Sequence, residues 1–242
     1  MNVTLNTKIK VDCRFCPIRH RAVCSSCDTA ELELLNGIKS YKSVPAGQTV
    51  ARRGEPCDFV GSIVTGVAML SQSMEDGRTQ MVGLLLASDF IGRPGRTVLP
   101  HDVVAATDLV LCCFQRAPFE KLLEDVPHLR ERLLEMALDH LDAAREWMLL
   151  LGRKSAREKL ASFLLLIARR SVAADGHVRA VDLPLSREEI ANYLGLTIET
   201  VSRQLAGLKK AGLIGLDGAR RIEIFDFAAL QTAAGGALHA ET

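Results

Sequence analysis

The sequence lacks the usual marks of export and of membrane insertion. Its opening, MNVTLNTKIK, has lysines but no apolar stretch of the ~7–15 residues a signal peptide needs. No run approaches the ~18 apolar residues of a membrane span; the longest, such as 163–168, are short and bordered by charge. These absences point to the cytoplasm and to no membrane partner. A nucleotide loop, a flavin fingerprint, a haem pattern and a clear catalytic constellation are also missing, so nothing indicates an enzyme. No internal repeat or low-complexity tract is visible, apart from a small-residue tail after Thr232 that should fray. Strong charge is absent too. From Arg153 onward there are 13 Lys/Arg against 10 Asp/Glu, a net of +3, and the first 152 residues carry 17 against 19. A mildly basic C-terminal part permits nucleic-acid binding without demanding it.

What the chain does have is cysteine in an unusual place. Cys13, Cys16, Cys24 and Cys27 fall in the run CRFCPIRHRAVCSSC. In a reducing compartment, clustered thiols indicate metal or redox chemistry rather than a disulfide framework, and a total of seven cannot be fully paired. Two CxxC units raise the possibility of structural zinc on these four. The seven-residue gap between them is shorter than the ~15–20 common in such sites. His20 in the leader could be a ligand, but it reads more readily as solvated.

The 242 residues divide by pattern into four parts: a leader (1–28), a strand-rich part (29–126), a long helix (127–153) and a C-terminal domain (154–242). The leader has no helix or strand period. Thr29–Ile38 reads as a short helix with Leu32, Leu34 and Leu35 on its apolar side. Short β-rich segments follow, punctuated by Pro45-Ala46-Gly47, Arg53-Gly54-Glu55, Thr65-Gly66, Asp76-Gly77 and Asp89-Phe90-Ile91-Gly92, which predicts an antiparallel roll. A short helical piece over 119–124 leads to the long helix from about His128. There Leu134, Ala137, Leu141, Ala144, Met148 and Leu151 repeat at spacings of three and four, the seam of a two-stranded coiled coil. Asp139, Asp142, Arg145 and Glu146 would line its edge. The pattern favours a parallel homodimer; the plainer alternative is a helix packed on its own domain. A further helix, Ala156–Arg170, leads through a polar loop at Asp175-Gly176-His177 to the C-terminal motif.

Ser186-Arg187-Glu188-Glu189 is a capping box. Its helix turns Ile190, Ala191 and Leu194 inward and stops at Gly195. Thr197 caps a second helix whose buried stripe is Ile198, Val201, Leu205 and Leu208, and a hairpin over 213–224 follows. This is a winged helix-turn-helix. Glu199, Ser202 and Arg203 lie together near the start of the second helix, where a recognition helix meets base edges; Thr197 and Thr200 flank them. Arg203 can grip guanine, Glu199 can accept from cytosine, and Ser202 can do either. Lys209 and Lys210 would meet phosphates. The partner is then double-stranded DNA; a charged, solvated helix of another small domain is the bland alternative.

The segment EEIANYLGLTIETVSRQLAGLKKAGLI (188–214) closely resembles the C-terminal domain of the CRP/FNR transcription factors, and the resemblance extends over nearly the whole chain. It implies an α+β fold: an antiparallel jelly-roll β-roll of cyclic-nucleotide-binding type, a dimerisation helix and a winged helix-turn-helix. CPIRHRAVC, MEDGRTQMVGLLLASDFIGRPGR and DAAREWMLLLGRK look like the FnrL-type subgroup, which is similar to the oxygen-responsive FNR branch. The E-x-x-S-R pattern of Glu199, Ser202 and Arg203 implies a TTGAT-type palindrome. The family further implies regulation as activator or repressor through RNA polymerase, with exposed segments such as 73–80 or 121–126 as contacts.

The resemblance also implies an oxygen-labile [4Fe–4S] cluster held by three leader cysteines and one from the roll. Carried over by position, these are Cys13, Cys16, Cys24 and, in LVLCCF, Cys112, with Cys113 as its alternative. The leader spacing is C-x2-C-x7-C rather than C-x2-C-x5-C, and Cys27 leaves the third ligand open between positions 24 and 27. In the CRP branch a glutamate and a downstream Arg-Ser grip a cyclic nucleotide. This chain has Gly92-Arg93-Pro94 and Pro100-His101-Asp102 there, so no cyclic nucleotide is expected.

Overall fold

The computed structural model of the protein describes residues 11–77, 79–170 and 180–236. The MNVTLNTKIK opening, the Asp175-Gly176-His177 loop and the end of the small-residue tail lie outside them. The chain forms two compact units, 1–140 and 141–242, which meet within a single helix.

In the first unit, a short 3-10 turn at Cys13–Phe15 and a series of turns lead to helix α1 (Thr29–Ile38). Asp28 and Glu31 start the helix by reciprocal bonds. The Asp28 side chain accepts from the Glu31 amide, and the Glu31 side chain accepts from the Asp28 amide, both at 2.8 Å. Leu32 and Leu35 are buried, but Leu34 is exposed. A helix advances about 100° per residue, so Leu34 lies about 200° around from Leu32 and cannot share its face.

Eight strands follow: β1 (Lys39–Val44), β2 (Thr49–Ala51), β3 (Phe59–Thr65), β4 (Ala68–Ser73), β5 (Thr79–Leu85), β6 (Phe90–Ile91), β7 (Asp102–Ala105) and β8 (Leu109–Gln115). They form two antiparallel sheets, β1-β8-β3-β6 and β2-β7-β4-β5. Val44, Ile63, Ala68, Leu85, Val103, Leu109 and Leu111 fill one core. Phe90–Ile91, expected as turn, is a short strand beside β3. Gly61 lets β3 approach β8: a Cβ there would stand 2.4 Å from the Cys112 carbonyl oxygen. Helix α2 (Arg116–Asp125) extends further than 119–124 at both ends. Its first residue, Arg116, is buried and donates to the Cys57 and Arg93 carbonyls.

Helix α3 (Pro127–Arg153) starts on the proline, whose missing N–H costs nothing at that position. Leu129 and Met136 are buried in the first unit. Leu134, Ala137, Leu141, Ala144 and Met148 are exposed, and Leu151 is half-buried. The plainer alternative, a helix packed on its own domain, describes one face of α3. One stripe packs on the helix's own unit, and the expected seam, about 100° around, faces away from that core.

The second unit contains α4 (Ala156–Arg170), β9 (Ala180–Asp182), α5 (Arg187–Leu194), α6 (Ile198–Lys210), β10 (Ile214–Asp217), β11 (Arg221–Ile224) and α7 (Phe227–Ala233). The wing has three strands, in the order β10-β11-β9. Trp147 stacks on Tyr193 of α5 with ring centroids 3.9 Å apart, a pairing worth about 0.5–1.5 kcal/mol beyond its area. Helix α7 packs on α4, and Ala234 is fully buried with its carbonyl accepting from Lys154 at 2.8 Å. The chain is therefore ordered past Thr232, where fraying was expected. Among the described residues, no helix is long and apolar enough to cross a membrane.

Candidate functional site

Strand β8 turns alternate side chains toward two different cores. Cys113, with Leu109 and Leu111, enters the space between the sheets, where Cys57 also lies. Cys112 and Phe114 face the other way, under the leader, and join Cys13, Ile18, Val23 and Cys27. Cys16 and Cys24 pack against that same core. Strand register sets Tyr41, Cys112 and Ser62 in one row across β1, β8 and β3.

The thiols are electrostatically coupled. Burial pushes Cys112 far above the usual thiol range, reinforced by Cys13, Cys16, Cys113 and Cys24. Cys24 is raised to about 11 by burial, then by Cys16 and Cys13. Cys16 is raised by burial, with Cys13 adding to it and Lys39 opposing. Cys27 is raised to about 12 by burial, but its charged neighbours are Cys24, Glu31 and Asp28. Cys113, raised to about 12 by burial, feels Lys42 and Cys57. Like-charge neighbours thus run through Cys13, Cys16, Cys24 and Cys112, with Cys27 beside Cys24 and the acidic start of α1.

Buried thiols that repel one another hold as thiolates only beside positive charge or metal. Among the described residues, no three Cys, His, Asp or Glu side chains stand close enough to share one ion. An all-cysteine donor set is the kind that holds iron–sulfur clusters. The four sulfur donors beneath the leader fit that chemistry.

The leader and α1 also grip helix α3. Arg132 Nη2 donates to the Arg21 carbonyl at 3.1 Å, and His128 Nδ1 lies 3.0 Å from the Glu31 carboxylate, which raises the His128 pKa. Val126, Leu129 and Met136 share the core that contains Cys13 and Cys112.

In the second unit, Ser186 Oγ accepts from the Glu189 amide at 3.2 Å, and the Ser186 amide donates to Glu189 Oε2 at 2.6 Å. Gly195 ends α5 at φ 62°, ψ 44°, a left-handed conformation that glycine adopts without strain. Thr197 caps α6 by accepting from the Thr200 amide at 3.2 Å. Val201, Leu205 and Leu208 are buried as expected. Ile198, expected inside, is 43% exposed at the first position of α6. Glu199 and Arg203 are exposed and Ser202 is half-buried. The Glu199 carboxyl is held below its usual range by its own backbone amide, the Thr197 hydroxyl and Arg203. Arg203 Nη2 donates to Thr200 Oγ1 at 3.1 Å, so Thr200 orients it. Lys209 and Lys210 are exposed at the helix end. Arg187 escaped the sequence reading. It opens α5, and its Nη1 donates to Ser202 Oγ at 3.2 Å, a contact between helices that no local motif marks.

Residues 158–233 match the family model for a Crp-like helix-turn-helix domain, and residues 41–126 match a cyclic nucleotide-binding domain. The chain is 60% identical over 228 residues to the transcriptional activator protein FnrL of Cereibacter sphaeroides, covering 92% of each. It is 41% identical over 206 residues to the nitrogen fixation regulation protein FixK of Bradyrhizobium diazoefficiens, covering 84% of this chain and 86% of that one. The solved structure of FixK2 from Bradyrhizobium japonicum superposes with a TM-score of 0.75 at 32% identity, covering 84% of this chain and all of the other. These relatives are regulators, and this protein is not an enzyme. Roll, long helix and winged helix-turn-helix agree with the comparisons over both units: the chain belongs to the CRP/FNR family of transcription factors.

Proposed function

We propose that this protein is a homodimeric, oxygen-responsive activator of transcription that works in the cytoplasm. It holds a [4Fe–4S] cluster on Cys13, Cys16, Cys24 and Cys112 and reads a TTGAT-type palindrome with Glu199, Ser202 and Arg203. The observation that carries this reading is the shared core: Cys13, Cys112 and the α3 residues Leu129 and Met136 pack in one cluster. When bound, the cluster supplies an oxygen-labile tie among four thiolates. With the leader thiols tied to Cys112, the leader stays seated on the sheet, and the Arg21 carbonyl and Glu31 stay on Arg132 and His128. That steadies α3, whose exposed seam pairs two protomers and spaces two recognition helices by about 34 Å, one DNA turn. Released thiols free the leader and loosen α3 beside Leu134, the first seam residue.

Recognition of a cyclic nucleotide is not part of this proposal. Arg93 stands where the CRP branch places an acid, and its carbonyl is occupied by the buried Arg116 at 2.7 Å. RNA polymerase is the remaining partner of the reading, met through exposed surface of the roll or α2.

The test is to purify the protein without air, measure iron and acid-labile sulfide, then admit oxygen and follow absorbance together with oligomeric state. Cluster loss in step with dimer dissociation is expected. Stoichiometric zinc without sulfide would sink the reading. At the DNA end, Glu199→Ala should relax discrimination at one base pair by about tenfold to a hundredfold. Lys209→Ala should weaken all sequences alike and reduce the salt slope by about one. Binding isotherms on operator variants would separate the two, and identical losses would remove Glu199 from base reading.

A further inference from the structure

The leader face of the β1-β8-β3 sheet carries two polar groups that the ligand set does not use. Lys39 opens β1 on the same face as Tyr41, two residues on. Its ammonium donates to Cys13 Sγ at 3.4 Å and to the Val11 carbonyl, and lies 5.6 Å from the centre of the Tyr41 ring. It is therefore fixed by the leader backbone on one side and an aromatic ring on the other, with its charge against a thiol. Ser62 stands directly across from Cys112 in the register of β3 and β8. It lies between Val60 and Val64, which face the leader core. Ser62 is 2% exposed, and its hydroxyl has no hydrogen-bond partner among the described residues. A hydroxyl buried without a partner is destabilising and calls for an explanation, such as a ligand not yet in place.

We infer that Lys39 and Ser62 are positioning residues for the cluster. Lys39 supplies positive charge at the Cys13 sulfur, and the Ser62 hydroxyl donates toward sulfur at the Cys112 end. The inference rests on the cluster reading proposed above. Four thiolates around an iron–sulfur core carry net negative charge into an apolar core. A neighbouring cation and an O–H donor offset it, and both favour the more reduced state. Net charge and hydrogen bonds to sulfur are among the factors that set such potentials. Lys39 and Ser62 therefore raise the midpoint potential and slow oxidation of the cluster by oxygen. They act through the sulfurs.

The experiment uses full-length protein purified without air. Iron and sulfide are measured, followed by the midpoint potential of the cluster's one-electron couple, the rate of absorbance loss in oxygen, and the melting temperature of the cluster-free chain. Lys39→Met should shift the oxidised-to-reduced ratio at a fixed potential about tenfold toward oxidised, ~59 mV lower, and lose absorbance faster. Lys39→Arg should stay near the parent. Ser62→Ala should lower the potential in the same direction, yet its cluster-free chain should melt about 2–4 °C higher, because the orphan hydroxyl is gone. This pairing of opposite signs distinguishes a cluster donor from a structural serine, which would leave the potential unmoved. Parent-like potentials in both Lys39→Met and Ser62→Ala, with full iron content, would overturn the inference while leaving the cluster reading intact. A parent protein without iron and sulfide would overturn both.

Discussion

Replacing Cys112 by serine is expected to abolish cluster binding, from near one cluster per chain to near none, while Cys113→Ser retains it. The two thiols are chain neighbours of similar burial, so composition and exposure cannot separate them. Their direction does. Cys112 faces the leader with Cys13, whereas Cys113 faces Leu109, Leu111 and Cys57 between the sheets. A hydroxyl is a hard ligand, unsuited to replace a thiolate on iron. The three leader thiols would then have no fellow ligand on the sheet, and dimerisation should fail with the cluster. Loss of two-site binding costs about 10²–10⁴ in apparent operator affinity. Cys113→Ser should instead place a hydroxyl in the apolar roll, costing about 1–3 kcal/mol of stability with iron content unchanged. Cys27→Ser should leave iron and sulfide at parent levels if Cys24 is the third leader ligand, as its position implies. Iron and sulfide per chain, with operator binding by anisotropy, decide among these. A Cys27 variant without cluster, beside a Cys24 variant that keeps it, would move the third leader ligand to Cys27.

The legibility of the chain varied with how local each cause is. The helix-turn-helix was readable because its determinants lie within a few residues of one another: Ser186 with Glu189, Gly195, and Thr197 with Thr200. The roll was readable as a class because its turns are marked by glycine and proline. Its short β6 was not, since Phe90–Ile91 becomes a strand only by pairing with β3. The same holds for β9, which needs β11, and for α7, whose alanine-rich end gains order only against α4. Leu34 and Ile198 were placed inside because they are apolar, but both are exposed, Leu34 turned outward by the helix period. Strand alternation separated Cys112 from Cys113 in sequence; which of the two faces the leader covers depends on the fold. Lys39, Ser62 and Arg187 carry no sequence signal. Each matters through a neighbour at least fifteen positions away, a distance at which spacing rules are silent.

Leu141→Glu is expected to give a monomer that retains its cluster under anaerobic conditions. Leu141 is 46% exposed in the single chain and lies amid Leu134, Ala137, Leu138, Ala144 and Met148, which are exposed as well. Its substitution therefore removes little from the protomer's own core, and far-UV circular dichroism and melting temperature should stay near parent values. The effect appears on pairing. Burying one leucine side chain contributes about 1.5–3 kcal/mol, and a two-fold seam brings two of them together, so the dimer loses about 3–6 kcal/mol. Two glutamates facing each other across the seam add repulsion. At 1.4 kcal/mol per tenfold this amounts to about 10²–10⁴ in dimerisation, enough to leave monomer at micromolar concentration. Operator affinity should fall correspondingly, while iron and sulfide stay at parent levels, because Leu141 lies outside the core that holds Cys13 and Cys112. Sedimentation velocity, iron analysis and operator titration on one preparation distinguish this result from the Cys112→Ser phenotype, in which cluster and dimer are lost together. A Leu141→Glu protein that remains dimeric would place the dimer contact on another face of α3. One that loses its iron as well would show that pairing of the helices helps to hold the leader, and would make the coupling between oxygen and DNA run in both directions along α3.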